Sequence, residues 1–377
     1  MRWVHWAQAQ LQALHDIDRL RRLVPFDGAG PEGVVGGRSV ISFAGNDYLG
    51  LAHDAAVRQA ARDAIERYGT GSTSSRLLAG TRTLHAELEA EIADWTRAES
   101  ALVFPSGFAA NLGVLSTLGA ADATMFSDAL NHASIIDGCR LAKATTRVYR
   151  HADVEHLESL LQETPGRKVV VTDTVFSMDG DIAPLEELAH LCERYDALLV
   201  LDEAHAVLGP QAPARDGLQL LRVGTLSKAL GSAGGWVAGP RTLIELLVNR
   251  ARSFIYTTGS SPADTAAALA ALRIYRSPRG EQLREHLRKL VHRLRSSHPS
   301  PIVPLIVGQD RAALAAAETL LASGFYVPAV RPPTVPAGTA RLRIALSAAH
   351  TEAMVDRLQR ALANIAADCS VARRRSS

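Results

Sequence analysis

The sequence predicts an α/β protein: a large domain built on a mainly parallel sheet, followed by a smaller α+β domain. Three observations predict it. Short apolar runs alternate with amphipathic stretches from Ser100 to Leu201, the pattern of strands joined by crossover helices. Runs such as Leu198-Leu199-Val200-Leu201 are apolar at consecutive positions, as a strand buried on both faces requires. After Ala263 the pattern changes: two helical stretches lead into a strand–helix–strand–helix unit.

The elements follow in order. Met1 to Leu23 places Trp, His, Gln and Arg at helical spacing, without the apolar stretch of a secretory leader. Ser100–Phe104 reads as a strand, Pro105-Ser106-Gly107 as its turn, and Phe108–Leu118 as a helix. Strands are expected over Ala123–Ser127, Thr146–Tyr149, Lys168–Thr172 and Ala197–Leu201, with helices over Ala133–Ala142, Val154–Gln162 and Leu185–Tyr195. Gln219–Thr225 is a further strand, and Gly235–Ala238 one running the other way. Helices over Ala263–Tyr275 and Glu281–Arg295 come next. The strands Val303–Val307 and Arg341–Leu346 and the helices Arg311–Ser323 and Glu352–Ala366 then form the smaller unit. Val327–Gly338 holds too many Pro and Gly residues for a continuous helix or central strand, and a loop of that length is often functional. The expected domains are an N-terminal helical segment over 1–45, a large cofactor-binding domain over 46–280 and a small C-terminal domain over 281–377.

Composition excludes several function classes. The 377 residues are enough for a large core; 47% are hydrophobic and 21% charged, the balance of an ordinary globular protein. A net charge of +2 does not point to nucleic acid, and the run Arg373-Arg374-Arg375 reads as a solvated end. The three cysteines form no C-x-x-C pair, so neither a disulfide framework nor a metal site is readable, and a reducing compartment fits. No run of apolar residues is long enough to cross a membrane. A cytoplasmic enzyme is the expectation.

Four segments carry chemistry. Gly224-Thr225-Leu226-Ser227-Lys228-Ala229-Leu230-Gly231 ends a strand in hydroxyls and a lysine, then continues in small residues to Gly235. Small residues let a flat group approach the backbone, hydroxyls suit a phosphate, and a lysine there can form an imine with a carbonyl cofactor. Taken alone, a surface lysine in a Gly-rich turn explains the segment equally well. Leu198 to His205 puts Asp202 at the end of an apolar strand and an imidazole three residues later. Ligands of open α/β sheets bind at such strand ends. A carboxylate buried there needs a partner, which a pyridinium N–H would supply; an N-cap aspartate with a packing histidine is the plainer alternative. Asn131-His132-Ala133-Ser134 follows another strand, where His132 can stack on a flat ring or simply pack. Ser106-Gly107-Phe108-Ala109-Ala110-Asn111 opens a helix, a ready phosphate site or simply a capped start.

Together these segments resemble the α-oxoamine synthases, enzymes of the pyridoxal-phosphate (PLP) dependent fold-type I, aspartate aminotransferase-like class. The resemblance spans nearly the whole chain. It includes Gly45-Asn46-Asp47-Tyr48-Leu49-Gly50-Leu51, Gly69 to Arg76, and Val175-Phe176-Ser177-Met178-Asp179-Gly180-Asp181, in the family's order with the segments above. Pro332 to Ile344, and Leu20-Arg21-Arg22 ahead of Pro25, resemble the branch that joins L-alanine to a pimeloyl thioester. The resemblance implies a homodimeric acyltransferase that condenses an amino acid with an acyl thioester, on coenzyme A or acyl carrier protein, and releases carbon dioxide. It implies that Lys228 carries PLP, Asp202 pairs with the ring nitrogen, His205 contacts the ring's phenolic oxygen and His132 stacks on the ring. Gly107, Phe108, Ser177 and Thr225 support the cofactor. Thr257 and Thr258 reach the neighbouring subunit's phosphate. Arg343 binds the amino-acid carboxylate, where a planar fork suits a planar anion. Arg21, Asn46 and Thr334 complete substrate binding. Two places depart from the family: Ala206-Val207-Leu208 stands where Gly-Thr-Gly is usual, and Gly259-Ser260-Ser261-Pro262 where a Ser-x-Pro-Pro run is usual. Three rival readings remain at this point. One is a sibling synthase using glycine or serine, another an aminotransferase or lyase of the same fold, and the last a non-catalytic scaffold.

Overall fold

The computed structural model describes residues 1–215 and 217–375, with side chains described through 365. The Arg373-Arg374-Arg375 side chains and Cys369 therefore lie outside the described residues. The chain divides into two compact units, Asp47–Glu285 and the pair of segments Met1–Asn46 with His286–Ser377.

The first segment holds α1 (Arg2–Asp16), β1 (Asp27–Ala29), β2 (Glu32–Val35) and β3 (Arg38–Ser42). It is helical only over its first turns, which corrects the helical reading of residues 1–45. Glycines decide the difference. Gly36 and Gly37, at φ +55° and +77°, form the two-residue turn that joins β2 to β3, a geometry that side chains with a Cβ resist.

Residues 47–285 carry α2 (Ala55–Tyr68), α3 (Thr83–Thr96), β4 (Ser100–Phe104), α4 (Gly107–Leu118), β5 (Ala123–Asp128), α5 (Ala133–Leu141) and β6 (Thr145–Tyr149). Then come α6 (Val154–Gln162), β7 (Arg167–Asp173), α7 (Leu185–Arg194), β8 (Ala197–Asp202), β9 (Leu220–Thr225), β10 (Gly235–Gly239), α8 (Arg241–Arg250), α9 (Arg252–Ile255) and α10 (Pro262–Arg276). Seven strands form one sheet in the order β4-β10-β9-β8-β7-β5-β6. Only β10 runs against its neighbours; the β9, β8, β7, β5 and β6 pairings are parallel. Strand periodicity explains the two cores. Val169 and Val171 of β7 join Val200 and the α4 residues Ala110 and Val114 on one face. Val170, Leu199 and Leu201 join Leu157 of α6 and Leu188 of α7 on the other. The central residues Val169–Val171 of β7 and Leu198–Leu201 of β8 are thus apolar at consecutive positions because both faces are covered. The departure at Gly259-Ser260-Ser261-Pro262 has a local reason: Ser261 caps α10, accepting from the Asp264 N–H, and Pro262 takes the first helical position.

The chain continues with α11 (Pro278–Leu294), β11 (Ile302–Gly308), α12 (Asp310–Ala322), β12 (Phe325–Tyr326), β13 (Ala329–Val330), β14 (Ala340–Ala345) and α13 (Glu352–Arg375). β11, β14 and β13 form an antiparallel sheet, while β12 adds in parallel to β3 at the edge of β1-β2-β3. Ala345 also donates its N–H to the Phe43 carbonyl. The N-terminal strands are therefore built into the same unit as the C-terminal segment, rather than forming a separate piece. The unit boundary falls inside α11, after Glu285, where the sequence suggested 280.

Candidate active site

Four adjacent parallel strands end in polar residues at one edge of the seven-stranded sheet: β5 in Asp128, β7 in Asp173, β8 in Asp202 and β9 in Thr225. Asp173 and Asp202 are register partners. The edge collects charge because a crossover connection brings every one of these strands to it in the same direction.

Lys228 lies just past β9. Its Nζ sits 2.8 Å from His205 Nε2, and His205 Nδ1 is 2.6 Å from the Tyr48 hydroxyl. Tyr48 and His205 are buried. Asp202 is also buried; Oδ1 accepts from the Ala204 N–H at 2.9 Å and Oδ2 from Asn111 Nδ2 at 2.6 Å. Asn111 reaches it because it stands one helical turn beyond Gly107, and the same amide donates to Ser134 Oγ. His132 caps α5: its Nδ1 is 2.7 Å from Ser134 Oγ and accepts from the Ser134 N–H, while its own N–H donates to Asp173 Oδ2 at 2.7 Å. The Phe108 ring meets His132 edge to face at 6.4 Å.

These groups shape one another's protonation. Burial holds His132 below the ordinary imidazole value; Asp202 opposes that and Lys228 adds to it. The ring is therefore neutral at pH 7, suited to lie against an aromatic surface. Burial, reinforced by Asp202, pushes Asp173 well above the usual carboxylate range, against the pull of the His132 N–H. Beside Asp202, Glu203 forms a half-buried two-point pair with Arg222 at 2.8 and 2.7 Å, fixing the strand end.

The turn ahead of α4 is equally built. Ser106 caps α4 by accepting the Ala109 N–H, and the Gly107 and Phe108 N–H groups have no intrahelical acceptor. A Cβ on Gly235 would stand 2.4 Å from the Gly107 nitrogen, so only glycine lets β10 approach this turn. Thr225 Oγ1 lies 2.7 Å from Ser227 Oγ and donates to the Gly234 carbonyl. Ser177 is half-buried in the hairpin after β7. An amine, a carboxylate with spare acceptor capacity, a neutral stacking imidazole and a capped helix start thus share one edge. The Asn111 Oδ1 atom beside Asp202 is buried without a hydrogen-bond donor. This donor and acceptor set fits a flat cofactor that bears an aldehyde, a ring nitrogen and a phosphate.

A family model for class I and II aminotransferases matches residues 38–362. The chain belongs to this family. Among curated relatives, it is 49% identical to an 8-amino-7-oxononanoate synthase of Anaeromyxobacter dehalogenans strain 2CP-1, over 96% of each chain. It is 48% identical to the Marinobacter nauticus 8-amino-7-oxononanoate synthase, over 92% of each. Among solved structures, a serine palmitoyltransferase from S. paucimobilis with a bound PLP–myriocin aldimine superimposes with a TM-score of 0.90. It is 31% identical, covering 97% of this chain and 98% of that one. An 8-amino-7-oxononanoate synthase from Francisella tularensis matches with a TM-score of 0.73 and 27% identity, over 88% of this chain and 98% of that one. The fold-type I expectation and the resemblance to α-oxoamine synthases both hold within the family.

The remaining sequence-predicted residues have local partners of their own. Arg343, buried on β14, donates to Asn46 Oδ1 at 3.1 Å, and Arg21 donates to Thr334 Oγ1 at 3.0 Å. Thr258 bridges Ser75, and Gly259 donates to the Ser74 carbonyl, so Thr257 and Thr258 are tied to the Gly/Ser-rich loop. Four contributors carry no role in the sequence reading: Tyr48, Asn111, Ser134 and Asp173. Asp173 had a readable signal, an apolar strand ending in aspartate like the one that ends in Asp202. No helix among the described residues is long and apolar enough to cross a membrane.

Proposed function

We propose that this chain is an 8-amino-7-oxononanoate synthase: it condenses L-alanine with a pimeloyl thioester to give 8-amino-7-oxononanoate, carbon dioxide and the free thiol carrier, a step of biotin biosynthesis. One observation carries the reading. The Lys228 amine, the His205 imidazole and the Asp202 carboxylate meet at the carboxyl edge of the sheet in a chain 49% identical to synthases of that name.

Bound PLP supplies an aldehyde that captures amines and a protonated ring that draws electrons from the bonds at Cα. Lys228 would hold the cofactor through its amine, and that amine would take the Cα proton of alanine and return one at the end. Asp202 would keep the ring nitrogen protonated, with Asn111 fixing the carboxylate. His205 would hold the phenolic oxygen and the neutral His132 would cover the ring. Gly107, Phe108, Ser177 and Thr225 hold the remaining cofactor groups. Arg343 binds the alanine carboxylate, and Asn46, Arg21 and Thr334 serve substrate binding. The thioester C–S bond breaks, a Cα–acyl bond forms, and the carboxyl group leaves as carbon dioxide. The acyl carrier is coenzyme A or acyl carrier protein.

The enzyme acts as a cytoplasmic homodimer in this reading, with Thr257 and Thr258 reaching the neighbouring subunit's phosphate. Exposed apolar side chains on α1, including Trp3, Val4 and Trp6, support association. Product identification by mass spectrometry tests the function. Alanine and pimeloyl-CoA should give 8-amino-7-oxononanoate with stoichiometric carbon dioxide. Turnover confined to glycine or serine, or a keto acid formed without thioester, would overturn it.

A further inference from the structure

We infer that His151 is a positioning residue that ties the hairpin carrying Ser177 to the loop carrying His132, and so sets the affinity of the site for its cofactor. This rests on the reading that places PLP against Ser177 and His132.

His151 belongs to neither segment. It lies two residues past the end of β6, the strand that neighbours β5. Both of its ring nitrogens face carboxylates: Nδ1 is 3.0 Å from Asp128 Oδ1 and Nε2 is 2.8 Å from Asp181 Oδ2. A carboxylate only accepts, so only the doubly protonated, cationic ring can donate to both. The two anions push its pKa up to about 10.

Each carboxylate anchors a different active-site segment. Asp128 ends β5; its Oδ1 also takes the Leu130 N–H and its Oδ2 the Ala152 N–H, both at 2.8 Å. Ala152 has a φ of +52°, a left-handed value for a residue with a Cβ, and the Asp128 contact holds it there. The loop from Asp128 runs through Asn131, which bonds Ser127 and the Val171 carbonyl, to His132. Asp181 closes the other segment. Its carbonyl accepts from the Phe176 N–H, Gly180 donates back to the Phe176 carbonyl, and Ser177 sits inside that turn. The His151 ring stands edge-on to Phe176 at 4.4 Å. Other charged groups nearby are turned elsewhere: Arg150 pairs with Asp153, and His156 Nδ1 accepts the Arg150 N–H. Tyr149 and Asp173 feel the Asp128 charge, which favours their protonated forms.

The test is a spectroscopic titration of the apo-protein with PLP, using wild type, His151→Gln and Asp181→Asn. Glutamine carries no charge and has one donor nitrogen where the imidazolium has two that diverge, and Asp181→Asn removes only the outer anchor, so the second variant remains informative where the first fails to fold. The PLP Kd is expected to rise about tenfold in each, the weight of one charge-assisted hydrogen bond. The double variant should be no weaker than about the worse single variant, because both cut the same tie. The gap between wild type and His151→Gln should close as pH rises past 10, the range in which His151 loses its proton. Wild type that takes up no PLP would refute the functional reading itself. Wild type that binds, beside variants that bind within about twofold at pH 7, would refute the role of His151.

Discussion

The carboxyl edge of the seven-stranded sheet and the arginine pairs of the smaller unit are built on opposite principles. At the sheet edge, His132, Asp173, Asp202 and Lys228 are close enough that each shifts or opposes the protonation of another. In the smaller unit, Arg343 donates to the neutral Asn46 Oδ1 and Arg21 to the neutral Thr334 Oγ1. The first arrangement is a coupled set, in which removing one member alters the rest. The second is a pair of separable contacts, whose loss subtracts only what each contributes.

Substitutions can break or sharpen that contrast. Lys228→Ala should abolish turnover together with the visible absorbance of the bound cofactor; a coloured, active variant would remove the central assignment. Asp202→Asn should lower kcat by about a thousandfold or more, several kcal/mol of transition-state stabilisation, and stopped-flow or steady-state rates will show it. Near-normal rates would mean the ring nitrogen does not depend on this carboxylate. Arg343→Ala should raise the KM for alanine by about ten- to a hundredfold, the worth of a charged hydrogen bond, while PLP titration curves stay in place. A loss of cofactor affinity there would erase the distinction between coupled and separable sites. Arg21→Ala should shift substrate KM only a few-fold, as an exposed contact does.

The smallest effect concerns pH. His151 has its pKa raised from 6.5 to about 10, so its ion pairs stabilise the native state fully below 6.5 and lose that contribution progressively up to about 10. Urea midpoints of wild type and His151→Gln should therefore differ most near pH 6 and converge near pH 10. Parallel curves across that range would show that His151 carries no extra charge in the fold.

The same contrast explains what the sequence disclosed. The strand ends at Asp202 and Thr225 were legible because parallel strands buried on both faces announce themselves as unbroken apolar runs, and the residue that ends the run is conspicuous. Asp173 sat in an equivalent place, but nothing local marks its bond to the His132 N–H, which joins residues 41 apart. Tyr48 is more distant still: its hydroxyl meets His205 across 157 residues. Such partners are chosen by the packing of strands, not by spacing along the chain. In the smaller unit the failure was different. β1, β2 and β3 are short and partly exposed, with too few alternating positions to outweigh the glycines between them, so residues 27–42 gave no strand signal. Their role appears only when β12, from nearly 300 residues later, pairs with β3.

Trp3 and Trp6 stand on α1 with rings 5.8 Å apart and 80% and 58% exposed, whereas Trp95 and Trp236 pack together at 5.5 Å, Trp236 fully enclosed. The protein's four indoles are thus sorted into an exposed pair on α1 and a pair in which Trp95 is half-buried and Trp236 enclosed, one pair in each unit. Iodide quenching should divide the emission into two populations of different colour, letting a fluorimeter follow the N-terminal helix and the catalytic half of the chain as separate signals without any added label.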